Sequence, residues 1–436
     1  MSSVAEVGQA IQRVIGDVSE AVARETGFTQ RASKLTGTAF VQTTVLGWLH
    51  QPAATLEALS QTATGLGVPI SAQGLDQRFT PAAAALLNQV LTTAVHEVIA
   101  AEPVAIPLLR RFAGVIVQDS STVSLPDELA ADWPGCGGSG PDAAVKLQVR
   151  FDLLRGTLTG PLLDAGRAND RGAALTAAPV PADALYLADL GYFSLAHLQA
   201  IVTQGAHFLT RLFLPTAIYD AQDQRLELAV LLAAATTDTI DQPIRLGATT
   251  RVPVRLLAVR VPPSVAEERR RTLRARAQAK GRTPSRVQLT YADWTVLVTN
   301  LPPERLSLAE ALVLARVRWQ IELLFKLWKS HGQIDAWRSG KPWRIACELY
   351  AKLIAMVLQH WLLLLGSWCF PDHSLVKAAQ TVRTYVPLLI SALAGYLALT
   401  IPLTQIQRCL QAGCRVNRRR QHPTTSQLLL ALADEA

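Results

Sequence analysis

The chain has 436 residues, half of them hydrophobic, with a formal net charge of +8. That length exceeds one ordinary core, so two or three domains are expected, and the composition excludes a disordered or fibrous chain. Five cysteines (Cys136, Cys347, Cys369, Cys409 and Cys414), with no CxxC pair and no matching histidine spacing, argue against a disulfide framework or a structural zinc site. The excess of cations suggests a polyanionic partner, mainly where the charge clusters.

The N-terminal MSSVAEVGQAIQRV has the pattern of an amphipathic helix, carries an acidic residue and lacks the apolar core of a signal peptide. Residues 1–105 read as all-helical. Within them Pro52–Thr64 is a helix, Gly65-Leu66-Gly67-Val68 a turn, and Ser71–Phe79 a second helix carrying Gln73, Gln77 and Arg78. Helix, glycine turn, helix is a helix-turn-helix pattern that could place the second helix in a DNA groove, and equally a plain packing unit.

A β-rich block follows. Gly114–Asp119 is a short apolar run ending in an acid, hence a buried strand. Val145–Leu154 and Thr157–Ala165 are two more strands joined at Arg155-Gly156, a hairpin signal. A short helix is expected around Ala168–Ala178. Ala184–Asp189 then repeats the first pattern, an apolar run ending in an acid, followed by Leu190-Gly191-Tyr192. A helix (Ser194–Thr203) and a strand (His207–Phe213) complete the order of a ribonuclease-H-like α/β fold. There the first and fourth strands are parallel neighbours, which would bring Asp119 and Asp189 together.

Residues 214–300 interrupt that order with an alternating, β-rich stretch. They contain EERRRTLRARAQAKGRTPSR at 267–286, whose cations include Arg269, Arg270, Arg271 and Arg274. Such a run is either a solvated face or a segment that tracks phosphates. Trp294–Asn300 is a strand. Ser307 and Glu310 then form a capping box that opens a helix. At about 100° per residue, Val317, Ile321, Leu324, Phe325 and Trp328 share one stripe of that helix. Arg318, Glu322 and Lys329 lie within roughly 40° of one another at its edge. On its own this is either a surface ion-pair ladder or a carboxylate held between two cations.

From Gly332 onward the chain is helical again, with helices at Cys347–Leu365 and Val376–Leu399 and a basic tail, Arg415–Arg420. The apolar run Leu353–Leu365 reads as a buried helix too short to span a bilayer. The expected location is the cytoplasm, away from any membrane. The domain expectation is a helical DNA-binding domain (1–105), two parts of a catalytic core (106–213 and 301–335), a β-rich insertion (214–300) and a helical C-terminal region (336–436).

Asp119, Asp189 and Glu322 are suited to phosphodiester chemistry. That chemistry needs divalent cations held by a few carboxylates, one ion activating the nucleophile and one stabilising the leaving oxygen. Asp127, Glu128, Asp152, Asp164 and Asp170 are decoys of the same residue type.

These residues carry a resemblance. Arg318, Glu322 and Lys329 match the spacing Tyr-x2-Arg-x3-Glu-x6-Lys of the DDE transposases of the IS-four group of bacterial insertion sequences, related to the hairpin-forming transposon enzymes. Asp119-Ser120-Ser121 and Asp189-Leu190-Gly191-Tyr192 match the contexts of that group's first and second acids, and Val298–Pro302 matches the stretch before the third. The similarity runs over roughly residues 25–365 and is most specific over 294–329. The motif tyrosine position holds Ala315, so this chain lacks that hydroxyl donor.

The resemblance implies that Asp119, Asp189 and Glu322 bind Mg²⁺, with Mn²⁺ able to substitute, and that Arg318 and Lys329 hold phosphates. It implies that Trp294 receives a flipped base, with a strand core residue as the alternative. Lys146 and Lys326 are further candidate DNA contacts, while His207, His331 and His360 read as structural. The implied partner is double-stranded DNA, both element ends and target, held by a homodimer in the synaptic complex. The implied activity is cutting of the ends through a hairpin intermediate, followed by strand transfer. The alternatives are a catalytically inactive, transposase-derived DNA-binding protein and a metal-dependent nuclease without strand transfer.

Overall fold

The computed structural model describes residues 3–31, 33–137, 140–417 and 423–434. Helices α1 (Val4–Gln12), α2 (Gly37–His50), α3 (Leu56–Gly65), α4 (Ala72–Asp76) and α5 (Pro81–His96) build the N-terminal part. Side-chain oxygens of Ser3, Thr36, Thr55, Ser71 and Thr80 cap their first turns. The second helix of the expected helix-turn-helix is only five residues long, and Asp76 at its end pairs with Lys341 and Arg344.

Ten strands form one mixed sheet in the order β3-β2-β1-β4-β5-β10-β9-β8-β6-β7. They are β1 (Val115–Leu125), β2 (Ala143–Asp152), β3 (Leu158–Ala165), β4 (Leu185–Ala188), β5 (His207–Arg211), β6 (Ile218–Tyr219), β7 (Arg225–Leu226), β8 (Thr239–Leu246), β9 (Val252–Arg260) and β10 (Trp294–Thr299). β1 is antiparallel to β2 and parallel to β4, and β4 is parallel to β5. The β1–β2–β3 meander was legible, but β1 runs on to Leu125. Its parallel pairing ends at Gln118–Ala188, while antiparallel pairing with β2 continues to Leu125–Ala143. Asp119 therefore lies within a strand, one residue past the point where β4 stops.

α6 (Leu195–Thr203) joins β4 to β5, and the first part of the basic run lies on a helix, α7 (Pro263–Gln278), within the otherwise β-rich insertion. The third-acid segment is α8 (Leu308–Val317), a break at Arg318, α9 (Trp319–Lys326) and a wide π-turn over Leu327–His331. The Ser307–Glu310 capping box is formed, and Val317, Ile321, Leu324, Phe325 and Trp328 are all buried.

α10 (Pro342–Leu364) is wholly buried from Ile345 onward and packs against α2 and α5. Its 23 residues make it long and apolar enough to cross a membrane, which corrects the shorter span expected. Its burial inside the protein, with a Glu348–Lys352 pair at 2.7 Å, is that of a core helix. The expected helix Val376–Leu399 is instead α11 (Leu375–Thr384) and α12 (Val386–Leu393), split where Pro387 enters the first turn of the second. A last helix, α13 (Thr425–Asp434), contacts α8. The basic tail's Arg418, Arg419 and Arg420 lie outside the described residues. All five cysteines are free thiols.

One apolar cluster runs through the N-terminal helices, one face of β1, β2 and β4, helices α8 and α9, and α10. A second fills the other face of the sheet, with α6 and the insertion strands. The N-terminal helices and the third-acid helix thus share a core.

Candidate active site

Strand alternation decides which way the acids face. Val115 and Val117 of β1, and Leu185 and Leu187 of β4, belong to the cluster that α8 and α9 cover, while Tyr186 and Ala188 belong to the other. Asp119 and Asp189 continue the first set, so both project toward the helix that carries Glu322. Parallel pairing of Gln118 with Ala188 makes their backbones neighbours.

Arg318 closes the arrangement. It donates from Nη1 to Asp119 Oδ2 at 3.1 Å and from Nη2 to Glu322 Oε1 at 2.8 Å. The break in the helix at Arg318 lies at this point of contact. Burial pushes the Asp119 carboxyl up to about 6; the Ser120 amide and Arg318 oppose this, and the charges of Asp189 and Glu322 add to it. Negative charge is thus concentrated where one guanidinium cannot neutralise it all.

The chemistry of that donor set suits a divalent cation: hard carboxylate oxygens, with the charges of Asp189 and Glu322 both felt at the buried Asp119. Among the described residues, no three His, Cys, Asp or Glu side chains converge closely enough as placed to form a shell around an ion. Arg318 stands between two of them.

A cleft of about 1130 Å³ opens beside the acids. Asp189, Arg211, Arg269, Arg318, Trp319 and Lys326 are among its walls, with Pro423 and Thr424, just before α13, on one side. Trp319, 53 % exposed, and Arg211 were not singled out from the sequence. The available signal for Trp319 was an aromatic off the apolar stripe of the helix and next to Arg318.

The other expected DNA contacts separate by placement. Lys326 is exposed in the cleft, and Lys329 reaches the main-chain oxygen of Thr122 at 2.8 Å, tying its helix to β1. Arg271 and Arg274 are exposed on α7. Arg269 donates to the Trp294 main-chain oxygen and to Thr295, and Arg270 pairs with Asp293, so both anchor α7 to β10. Lys146 is turned inward onto Asp170 and the Ala168 oxygen, which places its ammonium away from solvent. Trp294 is 3 % exposed, with the Arg260 guanidinium over its ring at 4.4 Å. As placed it is a strand core residue, and a base could reach it only if Arg260 moved.

A family model described as the transposase DDE domain matches residues 110–358. The chain is 28 % identical to the transposase for insertion sequence element IS231F of Bacillus thuringiensis subsp. israelensis, covering 94 % of this chain and 91 % of that one. It is 28 % identical to the transposase for IS231E of Bacillus thuringiensis subsp. finitimus over 78 % of this chain and 75 % of that one. It is 27 % identical to the transposase for IS1151 of Clostridium perfringens over 57 % and 56 % respectively.

Proposed function

The chain belongs to the transposase DDE domain family, as an insertion-sequence transposase acting on DNA, and on that premise we propose that Asp119, Asp189 and Glu322 are its catalytic acids. The observation that carries the assignment is the single guanidinium of Arg318 held by both Asp119 and Glu322, residues far apart in sequence. Parallel pairing of β1 with β4 supports a ribonuclease-H-like core, interrupted at 214–300 by the insertion. The motif spacing supports the IS-four group, with Ala315 at its tyrosine position.

In this reading Asp119, Asp189 and Glu322 hold Mg²⁺, or Mn²⁺ in its place. When bound, the cation lowers the cost of ionising an attacking water or 3′-hydroxyl and of releasing the departing oxygen. Arg318 fixes Asp119 relative to Glu322 and, with Lys329 and Lys326, holds phosphates of the element end. Lys329 also keeps the π-turn against β1. Trp319, exposed in the cleft, offers an aromatic face to a nucleotide there. Water attack nicks the end, and the freed 3′-hydroxyl attacks the opposite strand to give a hairpin. Opening of the hairpin and joining to target follow. Residues 1–105 bind the element end, and two chains hold the two ends together.

The reading is tested by incubating a duplex bearing the element's terminal repeat with a target plasmid and Mg²⁺. Joined products are expected. Cut ends that never join, at any Mg²⁺ or Mn²⁺ concentration, would make the chain a nuclease without strand transfer.

A further inference from the structure

On the face of the sheet opposite the acids lies a polar layer where apolar packing would be ordinary. Gln118 and Gln148 are fully buried there, with Arg150, Tyr186 and Tyr192 also buried. Asp170, from the loop after β3, is its hub. Its Oδ1 accepts from Ser120 Oγ at 2.9 Å, from Gln148 Nε2 at 3.1 Å and from Lys146 Nζ at 3.2 Å. Its main-chain oxygen accepts from Thr176 Oγ1 at 2.9 Å, and Thr176 Oγ1 accepts from Gln118 Nε2 at 2.8 Å. Gln148 Oε1 in turn accepts from the Tyr192 hydroxyl at 2.8 Å.

The partners flank the two aspartates. Gln118 and Ser120 stand on either side of Asp119, and Tyr192 is in the turn that follows Asp189. The amide of Ser120 donates to Asp119 Oδ1 at 2.8 Å, so the residue whose hydroxyl is tied to Asp170 also orients the carboxylate of Asp119. A Cβ on Gly191 would come within 3.4 Å of Asp170 Oδ2, so the second acid's turn lies directly against the hub. A paired polar network, buried at Gln118, Gln148 and Tyr192 and half-buried at Ser120 and Asp170, favours one arrangement of the strands it joins.

We propose that Asp170 is a positioning residue for the metal site: through Ser120 it orients Asp119, and through Gln148 and Tyr192 it fixes the turn that carries Asp189. The proposal rests on the three-acid reading. Asp170 is on the far face of the sheet and ligates nothing; it sets how far the two aspartates must move to share an ion. Outer-shell partners of this kind are typically worth about 10–100-fold in metal affinity.

The test uses the full-length chain and Mn²⁺ as probe, with affinity read by electron paramagnetic resonance of the free ion. Asp170→Asn, Ser120→Ala, Ser120→Thr, the Asp170→Asn/Ser120→Ala double variant and Asp119→Asn are compared with the parent. Metal-free binding to a terminal-repeat duplex and thermal melting are followed in parallel. Asp170→Asn is expected to weaken Mn²⁺ binding by about 10–100-fold with end binding unchanged. Ser120→Ala should weaken Mn²⁺ binding in the same direction, Ser120→Thr should restore it, and the double variant should be no worse than Asp170→Asn. Should Asp170→Asn fail to fold, Ser120→Ala and Ser120→Thr carry the same test with the Lys146–Asp170 pair intact. Parent-like Mn²⁺ affinity in the Ser120 and Asp170 variants, with binding lost in Asp119→Asn, would overturn the proposal and leave the three-acid reading standing. Parent-like affinity in Asp119→Asn would remove that reading and the proposal with it.

Discussion

The Arg318 guanidinium lies 3.1 Å from the Asp119 carboxylate although 199 positions of chain separate them. Its other nitrogen reaches Glu322 at 2.8 Å, so one side chain sets the third acid against the first. Lysine keeps the charge but lacks the planar fork that spans two carboxylates. Arg318→Lys is therefore expected to lower end cleavage on the order of 100-fold and to weaken end binding far less. Single-turnover cleavage alongside a mobility-shift titration checks both; equal losses in the two would make Arg318 a simple phosphate contact.

Ala315 lines the cleft where the motif carries tyrosine. Ala315→Tyr supplies a hydroxyl donor there without touching any acid. End binding is expected to tighten severalfold, about 1 kcal/mol for one neutral hydrogen bond, while the Mg²⁺ concentration for half-maximal cleavage stays put. A titration of each ligand separates the two effects.

The exposed cations of α7 should behave as a phosphate-tracking surface. Arg271→Ala and Arg274→Ala are each expected to weaken DNA binding alike for any sequence. Each should also flatten the log–log salt dependence by about 0.9 for every phosphate that is no longer neutralised. Arg269→Ala and Arg270→Ala should instead loosen α7 from β10, seen as faster proteolysis within 263–293, because those side chains bind Trp294, Thr295 and Asp293. An unchanged salt slope in both exposed variants would make this helix a solvated face.

The β2–β3 turn is locked against α10. Gly156 has φ +72°, and an added Cβ would meet Leu364 at 2.5 Å and Trp368 at 2.7 Å. Gly156→Ala thus combines a left-handed backbone with a clash in packed surroundings, and about 2–4 kcal/mol of stability should be lost. Denaturant unfolding measures it directly.

His360 on α10 donates from Nε2 to the Gly156 oxygen and is fully buried, and burial lowers its pKa to about 4. Because the folded value lies below the unfolded one of about 6.5, the contribution is complete above pH 6.5. It is lost as pH falls through 6.5 toward 4, by a few kcal/mol at most. His360→Gln, which keeps a donor but does not titrate, should flatten the pH dependence of unfolding in that window. A curve parallel to that of the parent would contradict this.

Several of these features were legible in the chain. The buried stripe on the third-acid helix, the Ser307–Glu310 box and the parallel pairing of the strands that lead to Asp119 and Asp189 follow from periodicity, capping chemistry and strand order. What escaped depends on partners remote in sequence. Nothing local to Val123 or Leu125 says that β2 will prolong β1, and nothing local to Lys146 says that Asp170 will turn it inward. Asp170 itself looked like any other acid because its partners lie on three other segments. Trp294 and Trp319 differ in burial because Arg260 roofs the first, while the second falls on the open side of its helix.

The three-acid site is tested most directly by cleavage of a terminal-repeat duplex in Mg²⁺ on a denaturing gel, comparing the parent chain with Glu322→Gln. The account predicts nicked and hairpin-ended strands from the parent and neither from the variant, with both proteins shifting the duplex equally. Cleavage by Glu322→Gln at the parent's rate would contradict it.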